Sequence, residues 1–299
     1  MVRATSEGWE RLSTTTPEPA QLTVPSREVR TVVIKPSKGM GLLNLGDLWT
    51  YRELIGFMTW RDVIVRYKQT FLGVAWAILR PFLSMVVFTI FFGNLAQVPS
   101  DGIPYPIFSY TALLPWELFS KALSDASRSL VQNSNMITKI YFPRMILPLA
   151  SVLAGVVDFA IAFVVLIGMM FYYNIAPTSN IIFLPLFILL ALVTSFGTGL
   201  WLSAANVAYR DVNYVLPFLT QMWMFITPIV YPSSMVPEQW QVIYSLNPMA
   251  GVINGFRWAL LGTEPPAQTL WISVGVAIIL LISGLFYFKK MERQFADLV

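Results

Sequence analysis

The sequence predicts an all-α integral membrane protein with six transmembrane helices, and three observations predict it: an apolar composition, long charge-free stretches and an uneven distribution of basic residues. Of the 299 residues, 56% are hydrophobic and only 12% are charged. Uncharged apolar runs of about 18 residues or more are long enough to cross a bilayer. We therefore predict six spans, an amphipathic interface helix before them, and re-entrant gate helices on the external side.

The predicted spans follow the charge-free stretches along the chain. They are Pro81–Val98, Ile107–Leu123, two helices within 145–209 on either side of a turn at Tyr172–Asn180, a stretch from Val212 that ends near Tyr231 and Pro232, and Leu270–Phe288. The second is the least apolar, because it carries Glu117 and Lys121. Residues 145–209 are too many for one helix and suit two.

The basic residues decide the orientation of the bundle. An even number of spans places both termini on one side, and Lys and Arg concentrate in loops that stay cytoplasmic. With both termini inside, only Arg257 of the 20 basic residues falls in an external segment. We therefore predict cytoplasmic termini.

Two segments precede the six-span domain, which we place at 73–299. Residues 1–48 are rich in Ser, Thr, Pro and Glu, and we expect a disordered cytoplasmic tail. Residues 49–72 are expected to form a helix in the membrane interface, with Asp62 and Arg66 as an i,i+4 ion pair. Its apolar stripe comprises Phe57, Trp60, Ile64, Tyr67 and Phe71. A soluble helix packed on another domain is the alternative.

Two further segments are neither spans nor simple loops. Around 130–140, Leu130, Ile137 and Ile140 are spaced to give a short helix one apolar face. This helix would dock onto another protein, or the segment is a solvated loop that only sets topology. On the external side, residues 232–266 contain two apolar stretches too short to cross. They predict a re-entrant helix pair, with an ordinary external hairpin as the alternative.

The residue types that are absent exclude much enzyme chemistry. The chain contains no Cys and no His, which excludes thiol nucleophiles, Cys/His metal sites and Ser-His machinery. No Asp-x-Asp pair is present either. We expect no catalytic residue, no metal site, no cofactor and no nucleic-acid partner on this chain, and membrane lipids around it.

A transporter needs a source of energy. The sequence has no Gly-Lys pair and hence no phosphate-binding loop of the G-x-x-x-x-G-K-[ST] kind, so any ATPase is another chain. An ion-coupled transporter would instead use ionisable groups within the membrane, and Glu117, Lys121 and Asp158 are the candidates. Glu117 and Lys121 have the spacing of a mutually neutralising pair. Asp158 faces the bundle or a partner subunit, and a proton relay remains the alternative.

Aromatic side chains are candidates for lining a passage. Those on the first and fifth spans are Phe82, Phe88, Phe92, Phe218, Trp223 and Phe225. Ring faces offer direction-tolerant contact to sugar rings. Lipid contact and helix packing are the competing interpretation.

Five strings resemble the permease subunits of type-2 ABC exporters of lipid-linked polysaccharides such as O-antigen, capsule or teichoic acid. The strings are GVAWAILRPFL at Gly73–Leu83, KIYFPRMILPL at Lys139–Leu149, YRDVNYVLPFLTQ at Tyr209–Gln221, TPIVYP at Thr227–Pro232 and NPMAGVINGFR at Asn247–Arg257. They occur in order over most of the chain. The resemblance implies a multi-pass protein of the bacterial inner membrane that forms a homodimer and binds two copies of an ATPase subunit, which carries the ATP and Mg²⁺.

The resemblance also implies roles for particular residues. The coupling helix that contacts the ATPase would include Asn133, Asn135, Ile137 and Lys139. ATP-driven closure would open a channel lined by the first and fifth spans to a polyprenyl-diphosphate-linked glycan, with O-antigen favoured as the glycan. Arg257 is a candidate contact for the lipid diphosphate at the gate, and the competing interpretations are a salt bridge to Glu238 or Glu264 or a cap at its own helix end.

Overall fold

The computed structural model describes residues 45–68, 73–266, 268–292 and 294–295, and its regular elements there are helices. The α-helices are α1 Leu45–Thr50, α2 Arg52–Lys68, α3 Ala75–Phe88, α4 Tyr105–Gln132, α5 Ser134–Lys139, α6 Ile146–Tyr172, α7 Leu184–Ala208, α8 Val212–Ile226, α9 Glu238–Ser245, α10 Pro248–Leu261 and α11 Leu270–Glu292. A π-helical turn, Thr89–Leu95, extends α3, and 3₁₀ turns lie at Ser179–Phe183 and Ser233–Met235.

Four helical segments in the described ranges have the length and apolar composition of a membrane span. They are Ala75–Leu95, Ile146–Tyr172, Ser179–Ala208 and Leu270–Glu292. The predicted turn at Tyr172–Asn180 is confirmed, because α6 ends at Tyr172 and α7 follows a 3₁₀ turn. The first helix begins at Ala75, six residues before the predicted Pro81, so Pro81 lies inside the helix, as prolines of membrane helices can.

The predicted second and fifth spans differ from these four. α4 is long enough to cross, at 28 residues, but it carries charged side chains. α8 has only 15 residues, so it extends about 22 Å against a hydrocarbon core of about 30 Å. The expectation that the fifth helix continues to Tyr231 is wrong, because Pro228 follows Thr227 and the residue before a proline is pushed out of the helical region.

α4 forms the centre of the bundle. Phe108, Tyr110 and Phe119 are fully buried on it, and it packs against α6, α7, α10 and α3. A helix enclosed by other helices need not be apolar all round, because its polar groups meet protein rather than lipid. This enclosure explains how α4 keeps several charged side chains.

α7 and α11 approach each other through glycines. A Cβ added at Gly197 would lie 2.6 Å from the backbone nitrogen of Leu281, and one added at Gly284 would collide with the carbonyl of Gly197. Small residues at such a crossing allow two backbones to pack closely, which is a common means of helix association in membranes.

The helices before the bundle bear on two predictions. Of the predicted tail, 1–48, residues 1–44 lie outside the described residues, and α1 begins at Leu45. α2 occupies most of the predicted interface segment, whose Phe71 also lies outside the described residues. Phe57, Trp60 and Ile64 are exposed, while Met58 and Val63 are buried against the bundle. The predicted stripe therefore points away from the protein in this part of the helix.

Candidate functional site

A cluster of charged residues ties α2 to the bundle. The carboxylate of Asp158 on α6 accepts hydrogen bonds from the guanidinium of Arg66 and the hydroxyl of Tyr67, both on α2. The ammonium of Lys121 on α4 lies 2.6 Å from the same carboxylate. Arg66 also contacts Asp125 on α4 at 2.7 Å. Asp158 thus joins three helices, and its side chain is only 11% exposed.

Glu117 and Lys121 do not form the predicted direct ion pair. Lys121 is paired with Asp158, and no ion pair joins it to Glu117 within the described part of the chain. A spacing of four residues brings two side chains near each other on one helix. It does not show whether a carboxylate from a neighbouring helix lies closer to the lysine. The prediction that Asp158 faces the bundle agrees with its burial.

The predicted pairing of Asp62 with Arg66 is also wrong. Asp62 instead lies 2.7 Å from Arg61, its neighbour in sequence. Arg66 is turned towards the bundle, where Asp125 and Asp158 hold its fork-shaped guanidinium. A guanidinium presents donors along two edges and can serve two carboxylates at once.

Sequence reasoning missed Tyr67 and Asp125 as members of this cluster. A signal for Asp125 was present, since Glu117, Lys121 and Asp125 recur every four residues and lie on one face of α4. Tyr67 was assigned to the lipid-facing stripe of α2, whereas its hydroxyl binds Asp158.

A cavity of 320 Å³ lies beside the cluster, between α2, α3, α4 and α6. Its charged lining residues are Arg66, Arg80, Glu117, Lys121 and Asp158. Three cations and two carboxylates therefore line the cavity.

The predicted coupling segment contains a helix, α5, and its three apolar residues are not alike: Leu130 and Ile137 are buried, whereas Ile140 is exposed. Ile137 is buried with Leu130, so it attaches α5 to the bundle and is turned away from any outside partner. The Asn133 amide donates to the carbonyl of Ser129 at 2.7 Å and fixes the bend between α4 and α5. From residue 131 to residue 141, the exposed side chains are those of Val131, Gln132, Asn135, Thr138, Lys139, Ile140 and Tyr141.

Arg257 is buried at the opposite end of the bundle, where the residues after α8 meet α10. Its guanidinium donates to the carbonyls of Ile229 at 2.9 Å, Tyr231 at 3.4 Å and Phe108 at 3.5 Å, and it lies 3.5 Å from the centre of the Phe108 ring. Burial lowers the pKa of Arg257 to about 9, so the group stays cationic at neutral pH.

The expected partners of Arg257 are not the observed ones. Within the described residues no carboxylate forms a salt bridge with it, so the predicted pairing with Glu238 or Glu264 is wrong. It does not cap α10 either, which ends at the left-handed Gly262. The guanidinium is 3% exposed and bound to carbonyls, and this leaves it little surface for the lipid diphosphate proposed from the sequence.

The aromatic candidates fall into two groups. Phe82, Phe218 and Phe225 are exposed on α3 and α8. Phe88 is buried with its ring against the half-buried Phe92. The indole of Trp223 donates to the Asn247 side chain at 2.9 Å and packs on Phe119. Phe88 and Trp223 therefore pack in or against the core. Helical spacing alone did not reveal which face of each helix meets the bundle, so the sequence could not separate them from the exposed rings.

Known proteins resemble the chain over most of its length. Residues 53–261 match the family model described as ABC-2 type transporter. The chain is 27% identical to the O-antigen export system permease protein RfbA of Myxococcus xanthus over 255 residues, 84% of this chain and 97% of that protein. It is 28% identical to the Klebsiella pneumoniae protein of the same name over 86% of this chain and 97% of that one.

A more distant similarity links it to a second group of transport proteins. The polysialic acid transport protein KpsM of Escherichia coli is 24% identical over 239 residues, 78% of this chain and 91% of that protein. The family match extends from α2 through α10 and so includes the charge cluster, α5 and Arg257. The matched region is well over half of the chain, which therefore belongs to the ABC-2 type transporter family.

Proposed function

We propose that this chain is the membrane subunit of an ATP-driven exporter that moves a polyprenyl-diphosphate-linked polysaccharide out of the cytoplasm, with O-antigen as the favoured glycan. The observation that carries the proposal is its similarity to O-antigen export permeases along 97% of their length. The similarity to the polysialic acid transport protein is lower, at 24%. Capsule and teichoic acid are the alternative glycans within the same family.

The energy for export would come from a second protein. This chain carries no phosphate-binding loop, so we assign ATP and Mg²⁺ to an ATPase subunit present in two copies. The exposed surface of α5, around Asn135 and Lys139, is our candidate for the contact. Ile137 and Asn133 would transmit force, because one anchors α5 in the core and the other fixes its bend.

Two copies of the chain would enclose the channel. α8 is apolar yet buries only Leu216, and it is too short to cross the bilayer alone. Its exposed side chains include Phe218 and Phe225. A large exposed apolar surface marks an interaction site. We assign this surface to the homodimer interface and, together with the exposed face of α3, to the channel wall.

The absence of cysteine makes the dimer directly testable. In a Leu219→Cys variant, a short bis-maleimide reagent is expected to link two copies, because Leu219 lies on the exposed face of α8. Ile279→Cys, which is exposed on α11, is the matched control and is expected to stay uncrosslinked. Equal crosslinking of both variants would contradict the assignment of α8 to the interface.

The membrane topology completes the proposal. Six crossings, counting α4 and counting α8 together with the buried residues 227–230 that follow it, would leave both termini in the cytoplasm. α2 would lie in the cytoplasmic interface with Phe57 and Trp60 in the acyl region, since both are exposed on the face turned away from the bundle. The charge cluster would then couple movements of α2 to α4 and α6.

An ion-coupled transporter is the second candidate, because Asp158 is buried within a span. Its carboxylate already has the cations Arg66 and Lys121 as partners, which favours a structural role over proton transfer. Transport that persists in Asp158→Asn and Glu117→Gln, but stops without ATP, would exclude ion coupling. Loss of transport in properly folded variants, with no dependence on ATP, would favour it.

The test of export uses a strain that lacks this chain. Lipid-linked polysaccharide is expected to accumulate inside such cells, and the wild-type chain should restore its appearance at the surface. Lys139→Glu should fail to restore export, whereas Lys290→Glu, exposed on α11 and predicted to be cytoplasmic, should succeed. Normal surface polysaccharide in the deletion strain would refute the proposed function.

A further inference from the structure

A second cavity, of 530 Å³, lies at the end of the bundle where α9 and α10 meet. The loop between α3 and α4 forms one wall, at Asp101 and Ile103, and the turn at 232–236 forms another. α9, α10 and residues 261–266 and 269–270 complete the lining. Its volume falls within the range of about 300–1,000 Å³ that is typical of small-molecule sites.

The lining is unusually rich in hydroxyl, amide and carboxylate groups for a site at the end of an apolar bundle. They include Asp101, Ser234, Gln241, Tyr244, Asn254 and Glu264. They supply both donors and acceptors, which is the combination that sugar hydroxyls need.

The charge balance of the lining disfavours an anionic ligand. Two carboxylates, Asp101 and Glu264, face a single cation, Arg257, so the formal sum is one negative charge. Arg257 is also bound to backbone carbonyls and gives little of its surface to the cavity. A phosphate group would meet only Arg257, whose guanidinium is 3% exposed and bound to carbonyls, whereas an uncharged hydroxyl-rich molecule needs no cation.

Several polar groups in the cavity have no protein partner. Within the described ranges, the side-chain amides of Gln241 and Asn254 and the hydroxyl of Thr269 form no hydrogen bond, although all three side chains are partly buried. Partly buried polar groups usually find a partner in protein, water or ligand. These groups are therefore available to a molecule in the cavity.

The walls are held in place before any ligand arrives. Arg257 binds the carbonyls that precede the 232–236 turn, and Ser234 donates to Asp101 at 3.1 Å. The Ser273 hydroxyl donates to the carbonyl of Ser245 at 2.9 Å, which fixes α9 against α11. A preorganised site loses less free energy when it orders a ligand.

We propose that this cavity binds one or two units of an uncharged sugar chain. The identity of the ligand rests on the proposed function, because export would bring a sugar chain to this end of the bundle. The site itself lies within a single subunit and is separate from α8. It would hold the emerging chain beside its path and oppose backward movement. The amides of Gln241 and Asn254 are the groups that touch the sugar hydroxyls.

The test measures sugar binding by ligand-detected saturation-transfer NMR on the purified full chain in nanodiscs, which avoids detergents with sugar headgroups. The probes are D-glucose, D-galactose, D-mannose and N-acetyl-D-glucosamine. At least one is expected to give a saturable signal that falls at least fivefold in Gln241→Leu and in Asn254→Leu. Gln239→Leu, on the same helix but outside the cavity, should bind like the wild type. Melting curves check that each variant is folded.

Three results would overturn the proposal. The first is that none of the four sugars gives a saturable signal. The second is that binding is unchanged in folded Gln241→Leu and Asn254→Leu. The third is that inorganic phosphate displaces the sugar, which would indicate an anion site. If Asn254→Leu does not fold, Gln241→Leu alone decides. The assay needs no ATPase and no transport, so a failure here with normal export removes only the sugar site. Failure of export with intact sugar binding removes only the proposed function.

Discussion

Replacing Asp158 by asparagine is expected to destabilise the folded chain by about 3 kcal/mol. The carboxylate is 11% exposed and holds two cations and a hydroxyl from two neighbouring helices. Removing one partner of a buried ion pair costs about 3–5 kcal/mol, because the other charge stays buried without compensation. Arg66 keeps Asp125 at 2.7 Å and Lys121 is 28% exposed, so the lower end of that range applies.

The assay is thermal unfolding of the purified chain, followed by the loss of the folded peak in size-exclusion chromatography. For a chain of this size, about 3 kcal/mol corresponds to a fall in Tm of about 6–12 °C. A double variant, Asp158→Asn with Lys121→Met, should recover part of the loss because it removes the unpaired cation. Glu53→Gln, an exposed carboxylate on α2, is the matched control and should shift Tm little. An Asp158→Asn variant that melts with the wild type would refute the reasoning.

Three further predictions concern other parts of the bundle. Arg257→Ala should cost about 3 kcal/mol or more by removing a charged donor from three carbonyls, and a wild-type Tm would contradict this role. Gly197→Ala should destabilise the chain by about 1–3 kcal/mol, because the added methyl group would push α7 away from α11. Gly275 has open space around it, so Gly275→Ala should be neutral or stabilising in the same melting assay. Phe218→Ala should lower export at an unchanged Tm because its ring is exposed, while Trp223→Ala should lower Tm itself; the reverse pattern would exclude Phe218 from the channel wall.

The sequence was most informative where local chemistry determines the structure. Asn247 and Pro248 begin α10 as an N-cap and first helical residue, and Gly262 ends it in the left-handed conformation. The turn after Tyr172 was likewise predictable, and Asn174 there has a positive φ of 54°. Such signals depend on neighbouring residues and need no knowledge of the rest of the fold.

The sequence was less informative where the structure depends on contacts between distant segments. Lys121 pairs with Asp158 rather than with Glu117 because α6 brings a carboxylate to the same face of α4. Ile137 looked like a docking residue, but the packing of α5 against the bundle buries it. For Glu117 and Lys121 the spacing identified one face of α4 but not what that face meets, whereas Ile140, expected on the same face as Ile137, lies beyond α5 and is exposed.

The most direct test of the central claim is purification of this chain, in a mild detergent, from cells that also produce an ABC ATPase subunit from the same organism. We predict an equimolar complex that hydrolyses ATP, and we predict that Lys139→Glu weakens the complex while Lys290→Glu leaves it intact. A folded, dimeric chain that binds no ATPase would contradict the account and make Asp158 the residue to test for ion coupling.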